Sequence, residues 1–299
     1  MDRAVTELNR IVLGKDRPVR LALSCLLAGG HLLIEDIPGV GKTTLAQAMA
    51  RCLGLSHQRI QFTSDLLPAD ILGAAVFDRE RGLVFQPGPI FAQLVLADEV
   101  NRATPRTQSA LLEAMEEQQV TTEAESRSLP DPFFVIATQN PQDQVGTYPL
   151  PESQLDRFLM RVELGYPPPR AERELLAGRD RRVLLREVEP VLRAEDLLAL
   201  RGRVQAVHVA EPLLDYLQAL TRATREHEQL VSGLSPRGAL ALRRAAQAWA
   251  LLHHRDAVYP EDVQTVFAAV VQHRLVPVAE RRGAVSGILS GLLEQTPVP

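Results

Sequence analysis

The chain of 299 residues carries 31 arginines but only two lysines, and one of these, Lys42, lies in a glycine-containing run. Arginine presents a wide planar fork, whereas a loop wrapped around phosphates needs a compact ammonium that reaches the β- and γ-phosphates. Backbone N–H groups beside the glycines would point at the same anion, and the hydroxyl of Thr43 would hold Mg²⁺. The sequence therefore predicts a nucleoside triphosphate site formed by Pro38, Gly39, Val40, Gly41, Lys42, Thr43 and Thr44.

Two adjacent carboxylates, Asp98 and Glu99, end a later apolar run. Asp98 would position Mg²⁺ through water, and Glu99 would accept a proton from the water that attacks the γ-phosphate. Acidic pairs at strand ends are also common solvated caps, which is the alternative interpretation of this pair. A polar amide, Asn140, follows the next apolar run, where it would hydrogen-bond the γ-phosphate or the attacking water, although an amide before Pro141 also favours a simple turn.

A parallel sheet would bring these side chains together, because the carboxyl ends of parallel strands face one ligand crevice. Apolar runs predict strands at 31–35, 58–62, 93–99 and 133–137, and an amphipathic helix follows the loop at 43–51. Asp36 occupies a position where such loops usually carry glycine, and we expect its carboxylate near the anion site.

The order of strand, phosphate loop, acidic strand, amide-tipped strand and separate helical region resembles an AAA+ ATPase, and finer features closely resemble the MoxR family. This resemblance extends over nearly the whole chain. It implies an α/β fold, with a P-loop core built on a parallel sheet flanked by helices and a small all-α lid domain. The blocks that carry it are residues 61–70, 98–103, 108–117, 137–141, 146–152 and 155–158.

The resemblance also assigns roles to arginines. Arg157 follows the amide-tipped strand, where AAA+ proteins carry an arginine finger, and is assigned to the γ-phosphate bound in a neighbouring subunit; Arg161 is the weaker candidate. The alternative for any exposed arginine is a surface salt bridge. Arg102 and Arg106 are further candidates for the subunit interface.

Two further nucleotide contacts are implied by the same resemblance. Arg237 follows a predicted N-cap, Ser235, and opposes the helix dipole, a conflict that is relieved if it faces an anion as the sensor 2 arginine that reports nucleotide state to the lid. Residues 11–14, with Gly14 at their end, resemble the segment that contacts adenine.

A run of prolines, 167–169, follows the last predicted strand at 161–164 and marks the predicted boundary between a core, 1–166, and a lid, 167–299. Helices are predicted in the lid at 193–207, 211–229, 237–253 and 260–272.

Two hairpins are predicted as insertions in the core, one pairing 75–78 with 82–85 around 79–81, the other pairing 119–123 with 126–129. In the family, similar insertions project toward a ring pore and contact whatever is remodelled, whereas simple covers for a sheet edge are equally compatible with the pattern.

Bulk properties narrow the class of protein. The net charge is −4 and neither part is strongly basic, which disfavours DNA or RNA as the primary substrate. The longest apolar stretch, 21–34, falls short of the ~18 residues of a membrane span, and the N-terminus has no signal-like apolar core, so we expect a cytoplasmic protein with no membrane span. Cys25 and Cys52 lie in apolar helical stretches and are interpreted as reduced core residues.

The leading functional hypothesis is an ATP hydrolase (ATPase) that forms a homo-hexameric ring and acts as a molecular chaperone or remodelling motor. By resemblance it would mature a client protein complex, or insert metals or cofactors, with a separate protein that carries a von Willebrand factor A domain. The alternative from another class is a nucleic-acid motor of the helicase or restriction-complex type. A GTPase is excluded because neither Lys15 nor Lys42 is followed two positions later by aspartate, and nothing supports an inactive scaffold.

Overall fold

The computed structural model describes residues 1–80, 82–122, 125–141, 146–278 and 284–298. The phosphate loop follows one strand of a five-stranded parallel sheet, and the acidic pair lies at the end of another. The strand order is β2-β5-β8-β1-β9, so the loop after β1 lies beside the ends of β8 and β9. The strands of the sheet are β1 (Leu32–Glu35), β2 (His57–Gln61), β5 (Leu94–Asp98), β8 (Phe134–Gln139) and β9 (Met160–Val162), and the remaining strands are β3 (Gly73–Asp78), β4 (Gly82–Pro87), β6 (Gln119–Thr122), β7 (Glu125–Ser128), β10 (Leu230–Ser232) and β11 (Val276–Pro277).

Helices cover both faces of the sheet and make up most of the C-terminal part. Those before β9 are α1 (Asp2–Ile11), α2 (Asp16–Leu27), α3 (Lys42–Cys52), α4 (Pro68–Leu72), α5 (Pro105–Glu117) and α6 (Glu152–Leu155). Those after it are α7 (Pro169–Ala177), α8 (Arg181–Arg186), α9 (Ala194–Ala206), α10 (Glu211–Glu226), α11 (Pro236–Leu252), α12 (Pro260–Val271) and α13 (Ala284–Gln295).

The sheet is buried on both faces, and its side chains alternate between two hydrophobic clusters. Leu32 and Ile34 of β1 join the cluster that contains α1 to α3 and the C-terminal helices, whereas Leu33 joins the cluster beneath α5. Every residue of β5 is buried, as expected of an inner parallel strand. Cys25 and Cys52 are buried free thiols in the first cluster.

The α/β fold with its parallel sheet is confirmed, and each strand predicted for the sheet is present within two residues at either end. Strand β9 begins one residue earlier than predicted and ends at Val162. It ends there because Gly165 (φ 64°) turns the chain toward α7. The predicted lid also contains the short antiparallel pair β10–β11, which the helical spacing did not indicate. In the described residues, no helix is both long and apolar enough to cross a membrane.

The boundary at 166/167 stays a prediction. Strand β9 ends shortly before it and α7 begins shortly after it. However, α2 packs both on the sheet and on α9 and α11, so one hydrophobic cluster passes from the predicted core into the predicted lid.

Both hairpin insertions are present, as β3–β4 and β6–β7, although two predicted hairpin positions, Arg81 and Glu123, lie outside the described residues. The hairpins meet where the Arg127 guanidinium covers the ring of Phe85, 3.9 Å from its centre. At the far end of β3–β4, Phe77 and Leu83 face each other across the strands and are largely exposed.

Candidate functional site

The loop between β1 and α3 is shaped to receive an anion. Gly39 (φ 82°) and Gly41 (φ 102°) adopt left-handed backbone conformations that favour glycine, and the space where each would carry a side chain is open. Gly41 is the N-cap of α3 and offers no side-chain cap, so first-turn N–H groups of that helix are left for a ligand. Such an arrangement fits the phosphates of a nucleotide.

Lys42 begins α3, and its ammonium lies at the carboxyl ends of two strands. The Nζ atom donates hydrogen bonds to the backbone oxygens of Asp36, at 2.6 Å, and of Gln139, at 3.4 Å. A phosphate entering the loop would therefore meet an ammonium that is already located beside β1 and β8.

The carboxylate of Asp36 does not face the anion site as we expected. Its Oδ2 accepts hydrogen bonds from the backbone N–H groups of Leu164 and Gly165, each at 2.6 Å, and its Oδ1 accepts one from Ile37 at 2.8 Å. With Oδ2 occupied by the segment after β9 and Oδ1 by Ile37, Asp36 serves as a structural link, which explains why the loop tolerates a carboxylate here.

Asp98 is a buried carboxylate held from two sides at the end of β5. Its Oδ1 accepts a hydrogen bond from the Thr138 hydroxyl at 2.6 Å, and its Oδ2 accepts two from the Arg59 guanidinium, at 2.6 and 3.1 Å. Neither Arg59 nor Thr138 was predicted from the sequence as a site residue. The available signal was their position, since both lie on strands that neighbour β5 in the sheet.

Glu99 has a left-handed backbone conformation, with φ 59°. Its Oε2 accepts a hydrogen bond from Gln61 Nε2 at 2.9 Å and pairs with Arg102 Nε at 3.0 Å. Its backbone N–H donates to the Thr138 hydroxyl at 2.9 Å, so one threonine fixes both members of the acidic pair. Arg102, an interface candidate, thus contacts Glu99 of its own chain.

Asn140 directly follows β8 and is buried. Lys42 contacts the preceding Gln139, and Thr138 contacts Asp98, so three strand ends converge at one edge of the sheet. The structure therefore places the phosphate loop, the acidic pair and the buried amide together at the carboxyl ends of β1, β5 and β8.

ATP with Mg²⁺ fits the donors of this edge. Thr43 in the first turn of α3 offers a hydroxyl oxygen and Asp98 offers a carboxylate, both of them oxygen ligands of the kind Mg²⁺ prefers. The open glycine loop and the Lys42 ammonium supply the donors that phosphates require.

Arg157 and Arg237 lie together, and both pair with Glu116 at the end of α5. Arg157 Nη2 lies 3.1 Å from Glu116 Oε2, and Arg237 Nη1 lies 3.1 Å from Glu116 Oε1. Both arginines line a cavity of about 180 Å³, which also contains Arg244.

This arginine pair lies near the amino ends of the strands, opposite the phosphate loop. His31, which precedes β1, holds the end of α5, because its Nε2 lies 3.2 Å from the backbone oxygen of Met115. The backbone N–H of Leu159 donates to the His31 oxygen at 2.8 Å. Since β1 has four residues, the two ends of that strand are roughly 13 Å apart.

Arg274 fixes the segment that carries Arg157. Its side chain is 4% exposed, and its Nε pairs with Asp156 at 2.6 Å. It also donates to the backbone oxygens of Phe158, at 2.6 Å, and Leu159, at 3.1 Å. Burial lowers the pKa of Arg274 from its ordinary value, and the bond to Asp156 opposes that shift.

The remaining candidates lie elsewhere. Arg161 Nε pairs with Glu35 at 2.8 Å and lines a cavity of about 710 Å³ with Asp36, on the phosphate-loop side. Arg106 is exposed on α5. Gly14 (φ 70°) packs so closely against Pro168 and Ala171 that a β-carbon would lie within 2.8 Å of both.

Comparisons with known proteins agree with this architecture. Residues 31–160 match the model of the AAA family, described as ATPases associated with various cellular activities, and residues 222–288 match an AAA lid domain. Over 92% of its length, the chain is 46% identical to the uncharacterized protein YeaC of Bacillus subtilis and 41% identical to the chaperone MoxR1 of Mycobacterium tuberculosis, covering 87% and 75% of those proteins. A crystal structure of a proposed ATPase from Cytophaga hutchinsonii superposes with a TM-score of 0.89 at 34% identity, over 100% of this chain and 94% of that one.

Proposed function

This chain belongs to the MoxR family of AAA+ ATPases, and we propose that it hydrolyses ATP with Mg²⁺ in a ring of six identical subunits, each completing the active site of its neighbour. The observation that carries the proposal is the position of Arg157 and Arg237. They lie together near the amino ends of the strands, whereas the chain's own phosphate loop lies at the carboxyl ends. Two arginines at the end of the strands away from their own phosphate loop are available to a nucleotide bound by an adjacent subunit.

Within one subunit, the phosphate loop binds the nucleotide and Lys42 contacts its β- and γ-phosphates. Mg²⁺, held at Thr43 and Asp98, would neutralise charge that develops on the phosphates. Glu99 takes the proton from the attacking water, and Asn140 orients that water or the γ-phosphate. In the proposed ring, Arg157 of the neighbouring subunit stabilises the transition state as an arginine finger, in preference to Arg161, which pairs with Glu35 at the phosphate-loop side.

Arg237 is proposed to contact the neighbour's nucleotide together with Arg157, so that the C-terminal helices sense nucleotide across the interface. This refines the sensor role expected from the sequence. Gly14 and the preceding residues 11–13 are proposed to contact adenine, and Gly14 packs closely on Pro168.

The ring is proposed to act as a chaperone that remodels a client protein complex, together with a partner that carries a von Willebrand factor A domain. The chaperone name of the relative MoxR1 supports the class, and the exposed apolar tip of β3–β4, Phe77 and Leu83, supplies a surface for protein contact. The net charge of −4 favours a protein client over nucleic acid.

Assembly tests the proposed ring. Glu99→Gln should bind ATP without turning it over, and mass photometry with ATP and Mg²⁺ should show a shift to six subunits. Protein that binds ATP yet remains a monomer would contradict the ring.

Subunit mixing tests action across the interface. Arg157→Ala should bind ATP normally and lose about 10³-fold in kcat. When it is mixed with Glu99→Gln subunits, turnover should reappear at interfaces where each supplies its intact half. Mixed rings that stay inactive would show that Arg157 does not act on the neighbour.

A further inference from the structure

Glu116 pairs with both of the arginines that are assigned to the neighbouring nucleotide. Each of its oxygens takes a different arginine, Arg157 on Oε2 and Arg237 on Oε1, both at 3.1 Å. The two arginines come from separate elements, one from the segment between α6 and β9 and the other from the first turn of α11. Without a shared anion, two guanidinium groups brought this close would repel each other.

We propose that Glu116 is a positioning residue, which holds Arg157 and Arg237 as a ready-made pair and presents them to the γ-phosphate of the adjacent subunit. The inference rests on the proposed action across the interface. A carboxylate that gives one oxygen to each guanidinium resembles a phosphoryl group that gives neighbouring oxygens to the same two cations. Glu116 thus sets the spacing of the pair before the phosphate arrives.

The elements that carry Glu116 and Arg157 are held in place by other contacts. Glu116 lies in the last turn of α5, whose end is tied to the sheet by the contact between the Met115 oxygen and His31. Arg274 locks the segment that carries Arg157 by pairing with the neighbouring Asp156. Cations near a helix C-terminus are also favoured by the helix dipole, which adds to the attraction of the carboxylate.

The ion pairs of Glu116 with the two arginines can be replaced by contacts between those arginines and a phosphate. The side chains of Arg157, Glu116 and Arg237 are 29%, 35% and 48% exposed. Ion pairs at this exposure contribute little stability, so giving them up for a more highly charged phosphate costs little. The buried Arg274–Asp156 pair keeps its place while the outer pair changes partner.

Glu116→Gln tests the inference, with Glu117→Gln as the matched control one residue further along the same exposed helix end. Loss of the charge should lower kcat roughly 10²-fold, a typical effect of displacing a catalytic group by about 1 Å, with KM for ATP unchanged. Glu117→Gln should retain the kcat of the unaltered protein. Mixing Glu116→Gln with Glu99→Gln subunits should restore part of the turnover, since the neighbour then provides an intact Glu116.

A double variant separates positioning from general damage to the fold. In an Arg157→Ala background, Glu116→Gln should lower kcat by much less than it does alone, because one of the groups it positions has already been removed. Undiminished further loss in that background, or a single Glu116→Gln variant with kcat within twofold of Glu117→Gln, would overturn the role of Glu116.

The mixing results keep this inference distinct from the proposed function. If Arg157→Ala is rescued by Glu99→Gln subunits while Glu116→Gln has normal turnover, only the positioning role fails. If Arg157→Ala is not rescued, the action across the interface fails, and the role of Glu116 fails with it.

Discussion

At the scale of single residues, the backbone conformation of Glu99 and its hydrogen bonds orient the acidic pair. The left-handed backbone of Glu99 costs about 1–2 kcal/mol for a residue with a β-carbon, and such outliers cluster at functional sites. Thr138 offsets part of that cost, since its hydroxyl donates to Asp98 and accepts from the Glu99 N–H. The carboxylate of Glu99 contacts Gln61 and Arg102.

His31 is a second residue whose chemistry depends on its surroundings. It is buried, its Nδ1 accepts a hydrogen bond from the Val135 N–H at 3.0 Å, and its Nε2 faces the Met115 oxygen. Burial lowers the pKa of His31 to about 4, the Met115 contact opposes this shift, and the charge of Arg201 adds to it. The imidazole is therefore neutral in the folded protein at pH 7.

Acid should destabilise the fold through this histidine. Because its folded pKa of about 4 lies below the ordinary 6.5, its contribution is complete above pH 6.5 and is lost as pH falls toward 4. Between pH 7.5 and 5 the loss should be about 2 kcal/mol, measured as the free energy of unfolding in urea. His31→Gln, which keeps a donor and an acceptor, should flatten the pH dependence in this range, and an unchanged slope would contradict the assignment.

At the scale of elements, the turn between α1 and α2 is shaped by what packs on it. Gly14 and Gly29 have nearly the same positive φ, 70° and 69°. A β-carbon at Gly14 would lie 2.6 Å from Pro168 Cδ, whereas one at Gly29 would meet nothing within 4 Å. The contact between the N-terminal turn and the start of α7 therefore leaves no room for a β-carbon at Gly14, whereas Gly29 has room for one.

Matched alanine variants should separate these two effects. Gly29→Ala should lose about 1 kcal/mol of stability, since only the backbone conformation is unfavourable. Gly14→Ala should lose about 1–3 kcal/mol more, because Pro168 and Ala171 must move. Urea denaturation midpoints measure the difference, and equal losses would show that the α7 contact yields without strain.

At the scale of the whole molecule, both lysines contact the junction between the phosphate loop and the segment after β9. Lys42 donates to the backbone oxygen of Asp36. Lys15 is buried, and its Nζ donates to the backbone oxygens of Leu164, at 2.7 Å, and Gly165, at 2.8 Å, while Asp36 accepts from the N–H groups of the same two residues. Burial lowers the pKa of Lys15, and the negative charge of Asp36 opposes that shift. The phosphate loop is thereby joined to the segment that leads from the sheet to α7.

Breaking this junction on one side should be costly. Asp36→Ala leaves three backbone N–H groups without their acceptor and the buried Lys15 without a nearby carboxylate, a loss of about 3–5 kcal/mol. Lys15→Met in addition should cost much less than it does alone, since the uncompensated charge is removed. Unfolding free energies of the two single variants and the double variant measure this coupling, and strictly additive losses would show that the two groups act independently.

The elements of the sheet and the chemistry at its edge are predictable from the amino-acid sequence alone. Local periodicity marks buried strands, and the glycines, Lys42 and the acidic pair are adjacent in the chain to the strand ends that position them. These features depend on neighbours within a few residues, so one sequence suffices to predict them. The family resemblance then predicted which arginines contact the nucleotide.

The pairing of distant residues, by contrast, is visible only in the folded chain. The carboxylate of Asp36 lies against Leu164 and Gly165, Thr138 fixes Asp98 and Glu99, and Glu116 joins Arg157 to Arg237. Each of these contacts joins residues at least 39 positions apart. No local pattern encodes them, because the partner of a polar side chain is chosen by the packing of whole elements around the sheet.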